Sequence, residues 1–271
     1  MGRRRKPKAK TYELEIESLS HEGRGIAHFE EKVIFVSGAL PGETVIADRT
    51  FSRAKFEEAD VKEVLKAANN RITPKCEVFG ICGGCSFQHL SSEDQIIAKG
   101  KWLKDALMQQ AKTEPIIWLE PLQVESWGYR RKARLGVRYV AKKEKVLVGF
   151  REKKSSFITN MSRCEVLHPS LGDHLEDLAQ CIEQLSVKSQ VPQIEVAIAE
   201  QDTVLILRHL EPLNAKDEQI LADCAHDLGF TWYTQSGGLD TVKPLNKSVV
   251  LTYSHPNHNI EMEFLPTDFT Q

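Results

Sequence analysis

Three cysteines within ten residues constrain the fold of this chain more than any other feature. Cys76, Cys82 and Cys85 belong to the run CEVFGICGGCSFQH. The glycines of this run let the backbone turn closely around a bound object, because glycine has no Cβ atom. Three thiols at this spacing suit a metal centre whose fourth ligand comes from elsewhere in the chain. Cys164, in the turn-rich run MSRCEVLHP, is the best candidate for that ligand.

The identity of the metal stays open on spacing alone. The pattern is one tight triplet, CxxxxxCxxC, with one distant partner, whereas structural zinc sites usually consist of two closely spaced pairs. A [4Fe–4S] cluster therefore fits better than zinc, although the spacing matches neither usual ferredoxin pattern. Cys181 and Cys224 are left out of the site, because each lies on the apolar face of a predicted helix and behaves there as a small hydrophobic residue.

The composition is that of an ordinary soluble protein. Of the 271 residues, 41% are hydrophobic and 27% are charged, and no apolar run approaches the roughly 20 residues of a membrane helix. The basic N-terminus is not followed by an apolar stretch, so it is not a secretory signal. We expect a cytoplasmic protein without membrane contact, in which clustered thiols stay reduced and bind metal.

The net charge of −2 conceals strong segregation of charge. Residues 2–10 carry six Lys or Arg and no acid, and residues 127–154 hold eleven Lys or Arg against Glu144 and Glu152. Cationic charge confined to one arm and one hairpin indicates a nucleic-acid-binding surface. A solvated tail and a solvated hairpin face are the alternative. The candidate RNA contacts are Arg130, Arg131, Lys132, Arg134, Arg138 and His89.

Hydrophobic periodicity predicts an α+β fold that is mainly β. Five short strands between residues 11 and 67, with a turn at Pro41-Gly42, predict a small OB-like barrel. A capping signature at Ser92 opens a helix over residues 92–112. Alternation over residues 133–150 predicts a basic β-hairpin. Further helices are predicted at 169–185 and 220–228, and further strands at 193–199, 203–207, 230–233 and 260–264.

These residues resemble the bacterial RNA uracil-C5 methyltransferases, and within that family the RlmD type, which modifies 23S ribosomal RNA. The resemblance extends from about Thr11 to Gln271. The CGGC-x-x-QH run and Cys164 match the family's [4Fe–4S] ligand pattern, WGYRRKARL matches its central RNA-binding domain, and FLPTDFTQ matches the start of its methyltransferase domain. The resemblance implies that Cys76, Cys82, Cys85 and Cys164 hold the cluster and that Gln271 contacts S-adenosylmethionine.

The resemblance also implies a division into domains. The expected segments are a disordered basic arm (1–10), an OB-like TRAM RNA-binding barrel (11–68), a mixed α+β central iron–sulfur RNA-binding domain (69–91 with 121–263), a helical segment that packs on the catalytic domain in the family (92–120), and the start of the methyltransferase domain (264–271). The Rossmann-like methyltransferase domain is expected beyond residue 271. Without it, Ile96, Leu103 and Leu107 are expected to form an exposed apolar stripe.

The family's reaction needs groups that are not found in these 271 residues. In the family, a cysteine thiolate adds to uracil C6, C5 then attacks the methyl group of S-adenosylmethionine, and a base removes the C5 proton. Because neither that cysteine nor the Gly-rich cofactor loop is found, we expect the RNA-recognition part of such an enzyme, inactive alone. The implied partner is 23S ribosomal RNA rather than DNA, and the full-length state is a monomer. The alternatives are a stand-alone iron–sulfur or zinc RNA-binding module and a tRNA uracil-C5 methyltransferase.

Overall fold

A computed structural model describes residues 10–268, which form two compact units. The first unit comprises the described residues up to Gly80 together with Cys85–Val124. The second unit comprises Ile81–Gly84 and the described residues from Glu125 onward. The predicted basic arm, apart from its last residue, and Gln271 lie outside the described residues. Between residues 10 and 268, no helix is long and apolar enough to cross a membrane.

The first unit is built on a six-stranded sheet in the order β1-β5-β6-β4-β3-β2. Its strands are β1 (Thr11–Glu15), β2 (Ser18–Leu19), β3 (Gly25–Phe29), β4 (Lys32–Ser37), β5 (Thr44–Ser52) and β6 (Phe56–Lys66). Only the β4–β6 pair of this sheet is parallel. Tyr12 and Leu14 are buried while the residues beside them are exposed, so one face of the sheet forms the core.

The predicted OB-like barrel is not a closed barrel in the structure. Strands β1 and β2 are the two edges of the sheet and do not pair with each other in the described residues. Only Ile16 and Glu17 separate them along the chain, and the Glu17 amide donates to the Ile26 carbonyl (2.9 Å). A single bent segment thus pairs with β5 through its first half and with β3 through its second half. The two edges of the sheet are therefore joined by the continuous backbone of this segment and not by a ladder between β1 and β2.

The first unit also contains the helix α1 (Ser92–Ala106), which continues as a π-helical turn at Leu107–Ala111. The helix begins as the sequence predicts, but the capping residue is Ser91 rather than Ser92. The Ser91 hydroxyl accepts a hydrogen bond from the Asp94 amide (3.1 Å).

Helix α1 has no buried residue. Leu103 is 55% exposed, which confirms this part of the predicted apolar stripe. Ile96 and Leu107 are half-buried, so the stripe is wrong at these two positions, and Ile97 is the more exposed isoleucine at 68%. The helix presents its Trp102 side to the rest of the first unit, where the indole lies 5.4 Å from the Phe87 ring.

The second unit contains a six-stranded sheet in the order β12-β11-β10-β9-β7-β8 and a separate two-stranded hairpin. The sheet strands are β7 (Lys132–Val140), β8 (Lys145–Gly149), β9 (Gln193–Ile198), β10 (Thr203–Arg208), β11 (Phe230–Gln235) and β12 (Lys243–Pro244). The hairpin strands are β13 (Leu251–His255) and β14 (Ile260–Phe264). The helices are α2 (Pro169–Gly172), α3 (Leu175–Glu183) and α4 (Ala215–Leu228). Only β10 and β11 run parallel, and α4 makes the crossover between them.

Both faces of this second sheet are covered along its central strands β9 and β10, whose residues are nearly all buried. The predicted helical stripe Leu171, Leu175, Leu178, Ile182 and Leu185 is buried at every position. It belongs to two helices and the turn after them rather than to one helix, since α2 ends before Asp173. On another part of the unit, Val204, Ile206 and Tyr233 form a cluster with Leu251 of the hairpin. Because both faces are packed, β9 and β10 read as nearly continuous apolar runs.

Candidate nucleic-acid interface

The basic hairpin, formed by β7 and β8, has the two-faced character that its sequence predicts. Leu135 and Val137 are buried in the core, while Arg134 and Arg138 are exposed on the other face. The strands pair antiparallel from Gly136 to Val140. Alternation therefore aims successive arginines toward solvent, where they can meet phosphate groups.

The arginines of the hairpin region differ in whether their guanidinium groups already have partners within the protein. Arg134 forms an ion pair with Glu195 of the neighbouring strand β9 (2.9 Å). Arg131 donates to the carbonyl of Ala199 (2.9 Å). Arg138 is exposed. Its side chain forms no ion pair or hydrogen bond with any residue in the described part of the chain. Of these three guanidinium groups, Arg138 is the one most available to a polyanion.

Lys132 has a different environment from the other predicted RNA contacts. Its ammonium donates to the carbonyls of Pro266 (3.1 Å) and Asp268 (2.6 Å) and lies 5.5 Å from the centre of the Phe264 ring. Burial lowers the pKa of Lys132, while the nearby Asp268 carboxylate opposes that shift. Residues 265–268 form a turn, which is closed by the Leu265 amide donating to the Asp268 carboxylate (2.7 Å). Lys132 thus holds the 265–268 turn, a role that sequence periodicity does not predict.

Arg130 lies at the start of the hairpin, where its guanidinium is 5.6 Å from the centre of the Phe150 ring. Its amide donates to the Val166 carbonyl (2.9 Å), and its carbonyl accepts from the His168 amide (3.0 Å). This short parallel bridge fixes the segment before β7 on the chain that follows Cys164. Arg130 is half-buried, so it presents only part of its side chain to a ligand.

The predicted metal ligands are divided between the two units. Cys76 and Cys85 belong to the first unit, and Cys82 and Cys164 belong to the second. In the second unit, the amide next to Cys82, that of Gly83, donates to the Arg151 carbonyl (2.8 Å), and the Cys164 amide donates to Gly172 (2.8 Å). None of the four forms a disulfide bond in the described part of the chain.

The donor chemistry of four thiols fits an iron–sulfur cluster, but the arrangement does not reproduce one. In the described part of the chain, no group of three or more His, Cys, Asp or Glu residues is placed to hold a metal ion. The predicted [4Fe–4S] site is therefore not confirmed.

The end of the cysteine-rich run is packed inside the first unit. The Gln88 side chain accepts a hydrogen bond from the Cys76 amide (3.1 Å). His89 is only 1% exposed, and its ring lies 5.4 Å from Phe79. Such an interior position suits a structural role for His89 better than direct contact with RNA. The Phe87 ring of this run packs against Gly23. A Cβ atom at position 23 would lie 2.1 Å from that ring, so this packing requires glycine.

The two cysteines left out of the site meet each other in the second unit. Cys181 lies on α3 and Cys224 on α4. A hydrogen bond between the two thiols, together with burial, raises the pKa of Cys181. The same hydrogen bond lowers the pKa of Cys224. Both positions agree with the prediction that these residues belong to apolar helix faces.

Comparison with known proteins adds a family match at the N-terminus and relatives over the whole chain. Residues 5–62 match the TRAM domain family. A 23S rRNA (uracil(1939)-C(5))-methyltransferase RlmD from Vesicomyosocius okutanii is 72% identical over 271 residues, which cover 100% of this chain and 62% of that protein. An RlmD from Alcanivorax borkumensis is 44% identical over 275 residues, with the same two coverages. The chain thus spans 62% of the length of these relatives.

A solved structure is similar in fold. It is the tRNA (uracil-54, C5)-methyltransferase of Pyrococcus abyssi in complex with S-adenosyl-L-homocysteine. The TM-score is 0.64 at 15% sequence identity, and the match covers 95% of this chain and 60% of that one. At this identity the similarity concerns the fold alone.

Proposed function

We propose that this chain is the RNA-recognition part of an S-adenosylmethionine-dependent 23S rRNA uracil-C5 methyltransferase of the RlmD type. The observation that carries the proposal is the 72% identity, over every residue of the chain, to a protein of that name. The TRAM match at residues 5–62 and the exposed arginines of the basic hairpin support it independently. The expectation that the chain is inactive alone has no support from these comparisons and stays a prediction.

In this proposal the chain binds the RNA and orients it. The basic hairpin meets phosphates, with Arg138 as its most available cation, while Glu195 holds Arg134 in a fixed direction. The target uridine must leave its stack to be methylated at C5, so the enzyme has to grip the flanking RNA while that base is flipped. S-adenosylmethionine would supply the methyl group. This chain's proposed contact to it, Gln271, lies outside the described residues.

We further propose that Cys76, Cys82, Cys85 and Cys164 bind a [4Fe–4S] cluster with a structural role. The proposal rests on their spacing and on the donor chemistry of cysteine thiolates, which hold iron–sulfur clusters in proteins. Anaerobically purified chain should contain about four iron and four sulfide ions and absorb broadly in the visible range. Cys85→Ser should lose the iron, while Cys224→Ser should keep it. One zinc and no sulfide in the wild-type chain would contradict the cluster.

RNA binding tests the main proposal directly. The chain should bind a 23S rRNA fragment that contains the target uridine more tightly than a tRNA of similar length, because a recognition part must select its substrate before chemistry. Competition between the two RNAs at one fixed salt concentration measures this preference. Equal affinity for both would reduce the chain to a general RNA-binding module.

A tRNA uracil-C5 methyltransferase is the second candidate. It is suggested only by the name of the Pyrococcus abyssi enzyme, whose similarity to this chain is one of fold. The 15% identity of that match is far below the 72% shared with the RlmD relative, so the rRNA proposal comes first. Preference for tRNA in the same competition would reverse this order.

A further inference from the structure

Three phenylalanine rings lie on adjacent strands of the first-unit sheet. Phe51 belongs to β5, Phe56 begins β6, and Phe35 belongs to β4. The strand order β5-β6-β4 makes the three strands neighbours. The ring centroids of Phe51 and Phe56 are 6.0 Å apart, and those of Phe35 and Phe56 are 5.9 Å apart. We call these three residues the aromatic row.

The aromatic row faces away from the core of its unit. Along β4, Ile34 and Val36 are buried while Phe35 between them is half-buried. Along β6, Glu57 is buried while Phe56 before it is half-buried. The core has its own aromatic pair on the other face, where Tyr12 packs against Phe29. The row therefore lies outside the core cluster, and part of each ring surface stays open to a ligand on this face of the sheet.

Cations flank the row at both ends. The Arg53 guanidinium lies 5.1 Å from the centre of the Phe51 ring, and the Arg24 guanidinium lies 4.8 Å from that of Phe35. Arg24 is already paired with Glu58 (3.1 Å) and with Glu22. Arg53 is exposed and forms no ion pair with any residue that the structure describes.

The turn that carries Arg53 is fixed by its own backbone. The Arg53 amide donates to the Phe56 carbonyl (2.8 Å), which closes the connection between β5 and β6. Phe51 pairs in register with Glu58 of β6. The cation and the two rings nearest to it are thus held on one short, rigid hairpin end, and little ordering is needed for binding.

We propose that the aromatic row with Arg53 is a stacking platform for a single-stranded segment of RNA. Phe51 and Phe56 offer ring surfaces to successive bases, and Arg53 meets a phosphate between them. Aromatic rings on an exposed sheet face bind unpaired bases in this manner, and they do so with little sequence preference, because every base has a π-face. The cation argues for a polyanion rather than for an apolar protein partner. The inference rests on the proposed RNA function and adds a site on the first unit, whereas the basic hairpin belongs to the second.

The test compares two probes on the whole chain by fluorescence anisotropy. One probe is a labelled oligoadenosine of about seven nucleotides, a length within the site size of a single OB-type domain. The other has the same sugar–phosphate backbone without bases. Wild-type chain should bind the first probe about tenfold more tightly than the second, because only the first can stack.

A double variant locates the stacking on the row. Phe51→Leu with Phe56→Leu keeps apolar volume and removes both rings, and it should lose about tenfold in affinity for oligoadenosine. The slope of log affinity against log salt should stay unchanged, because no phosphate contact is removed. Tyr253→Leu, which removes an exposed ring from the β13–β14 hairpin, is the matched control and should bind as wild type does.

Two results would overturn the platform. One is equal wild-type affinity for the two probes, which decides the matter even if the double variant fails to fold. The other is a folded double variant that binds oligoadenosine as tightly as wild type. If the wild-type chain still binds the 23S rRNA fragment and Arg138→Gln weakens it, only the platform is lost. If folded wild-type chain binds neither oligoadenosine nor the fragment, the proposed function fails as well.

Discussion

Glu57 is a buried carboxylate at the centre of a polar network inside the first-unit sheet. Its side chain is 3% exposed and accepts hydrogen bonds from Tyr12, from Ser52 (2.7 Å), from Lys32 (3.0 Å) and from Arg49 (3.1 Å). Burial acts to raise the pKa of Glu57, but the hydrogen bonds and the charge of Arg49 outweigh it and lower the pKa to about 2. Burial and the hydrogen bond to Glu57 raise the pKa of Tyr12 to about 12.

The depressed pKa predicts an acid-sensitive fold for the first unit. A carboxyl whose folded pKa lies below its unfolded value stabilises the fold above the unfolded pKa, and that stability is lost as the pH falls. For Glu57 the loss should occur between about pH 4.5 and pH 2. Glu57→Gln should lower the free energy of unfolding by about 3 kcal/mol at neutral pH, because it leaves Lys32 and Arg49 without their buried counter-charge.

Urea unfolding at a series of pH values measures both effects. Glu58→Gln is the control, since Glu58 is the next residue and pairs with Arg24 near the surface, where an ion pair contributes about 1 kcal/mol or less. Equal destabilisation by the two substitutions, or an unchanged acid limb in Glu57→Gln, would show that the network around Glu57 does not support the fold.

The adjacent residues Glu57 and Glu58 also show what local sequence can predict. Alternation predicts that one of them faces the core, but two neighbouring glutamates do not reveal which one. The partners that make burial tolerable, Tyr12 and Lys32, lie 45 and 25 residues away along the chain. Contacts at such separation depend on the pairing of strands, so no local pattern contains them.

At the scale of elements, periodicity predicts most of the second unit. The basic hairpin, the α4 helix and strands β9 to β11 all lie where apolar spacing places them. The break between α2 and α3 is not predicted, because the apolar stripe continues through it in register. Likewise β2 is only two residues long and too short for any periodic signal.

Lys132 of strand β7 donates hydrogen bonds to the 266–268 turn, which is distant in sequence. Substitution of Lys132 should loosen this turn and not β7. Lys132→Met removes both hydrogen bonds to the 266–268 turn and the cation near the Phe264 ring, but keeps an unbranched apolar side chain at this position. Amide exchange at Leu265 and Asp268 should become about tenfold faster, which corresponds to a loss of about 1.4 kcal/mol from the turn. Hydrogen exchange measured by mass spectrometry on peptides that cover residues 260–268 reports this change.

A second lysine on the same hairpin provides the comparison for Lys132. Lys145 pairs with Glu176 at 3.8 Å on the surface, so Lys145→Met should leave exchange in the 260–268 peptides as it is in wild type. If Lys132→Met also leaves it unchanged, the turn holds itself through the Leu265–Asp268 hydrogen bonds alone.

For the whole molecule, the distribution of charge matters more than its sum. A net charge of −2 gives no general attraction to RNA, so binding must come from local cationic surfaces. Phosphate contacts release counterions, and affinity for RNA should therefore fall steeply with salt. The structure ranks the cations of the hairpin: Arg138 is exposed without a side-chain partner in the described chain, while Glu195 already neutralises Arg134.

This ranking predicts unequal effects of two otherwise similar substitutions. Arg138→Gln should reduce the slope of log affinity against log salt by about 0.7 to 1 for the 23S rRNA fragment, because one phosphate contact is lost. Arg134→Gln should change the slope less, since Glu195 competes with phosphate for that guanidinium. Anisotropy titrations at several salt concentrations yield both slopes. Equal slopes for Arg138→Gln and wild type would mean that RNA does not contact this face of the hairpin, and recognition would then depend on other cationic parts of the chain.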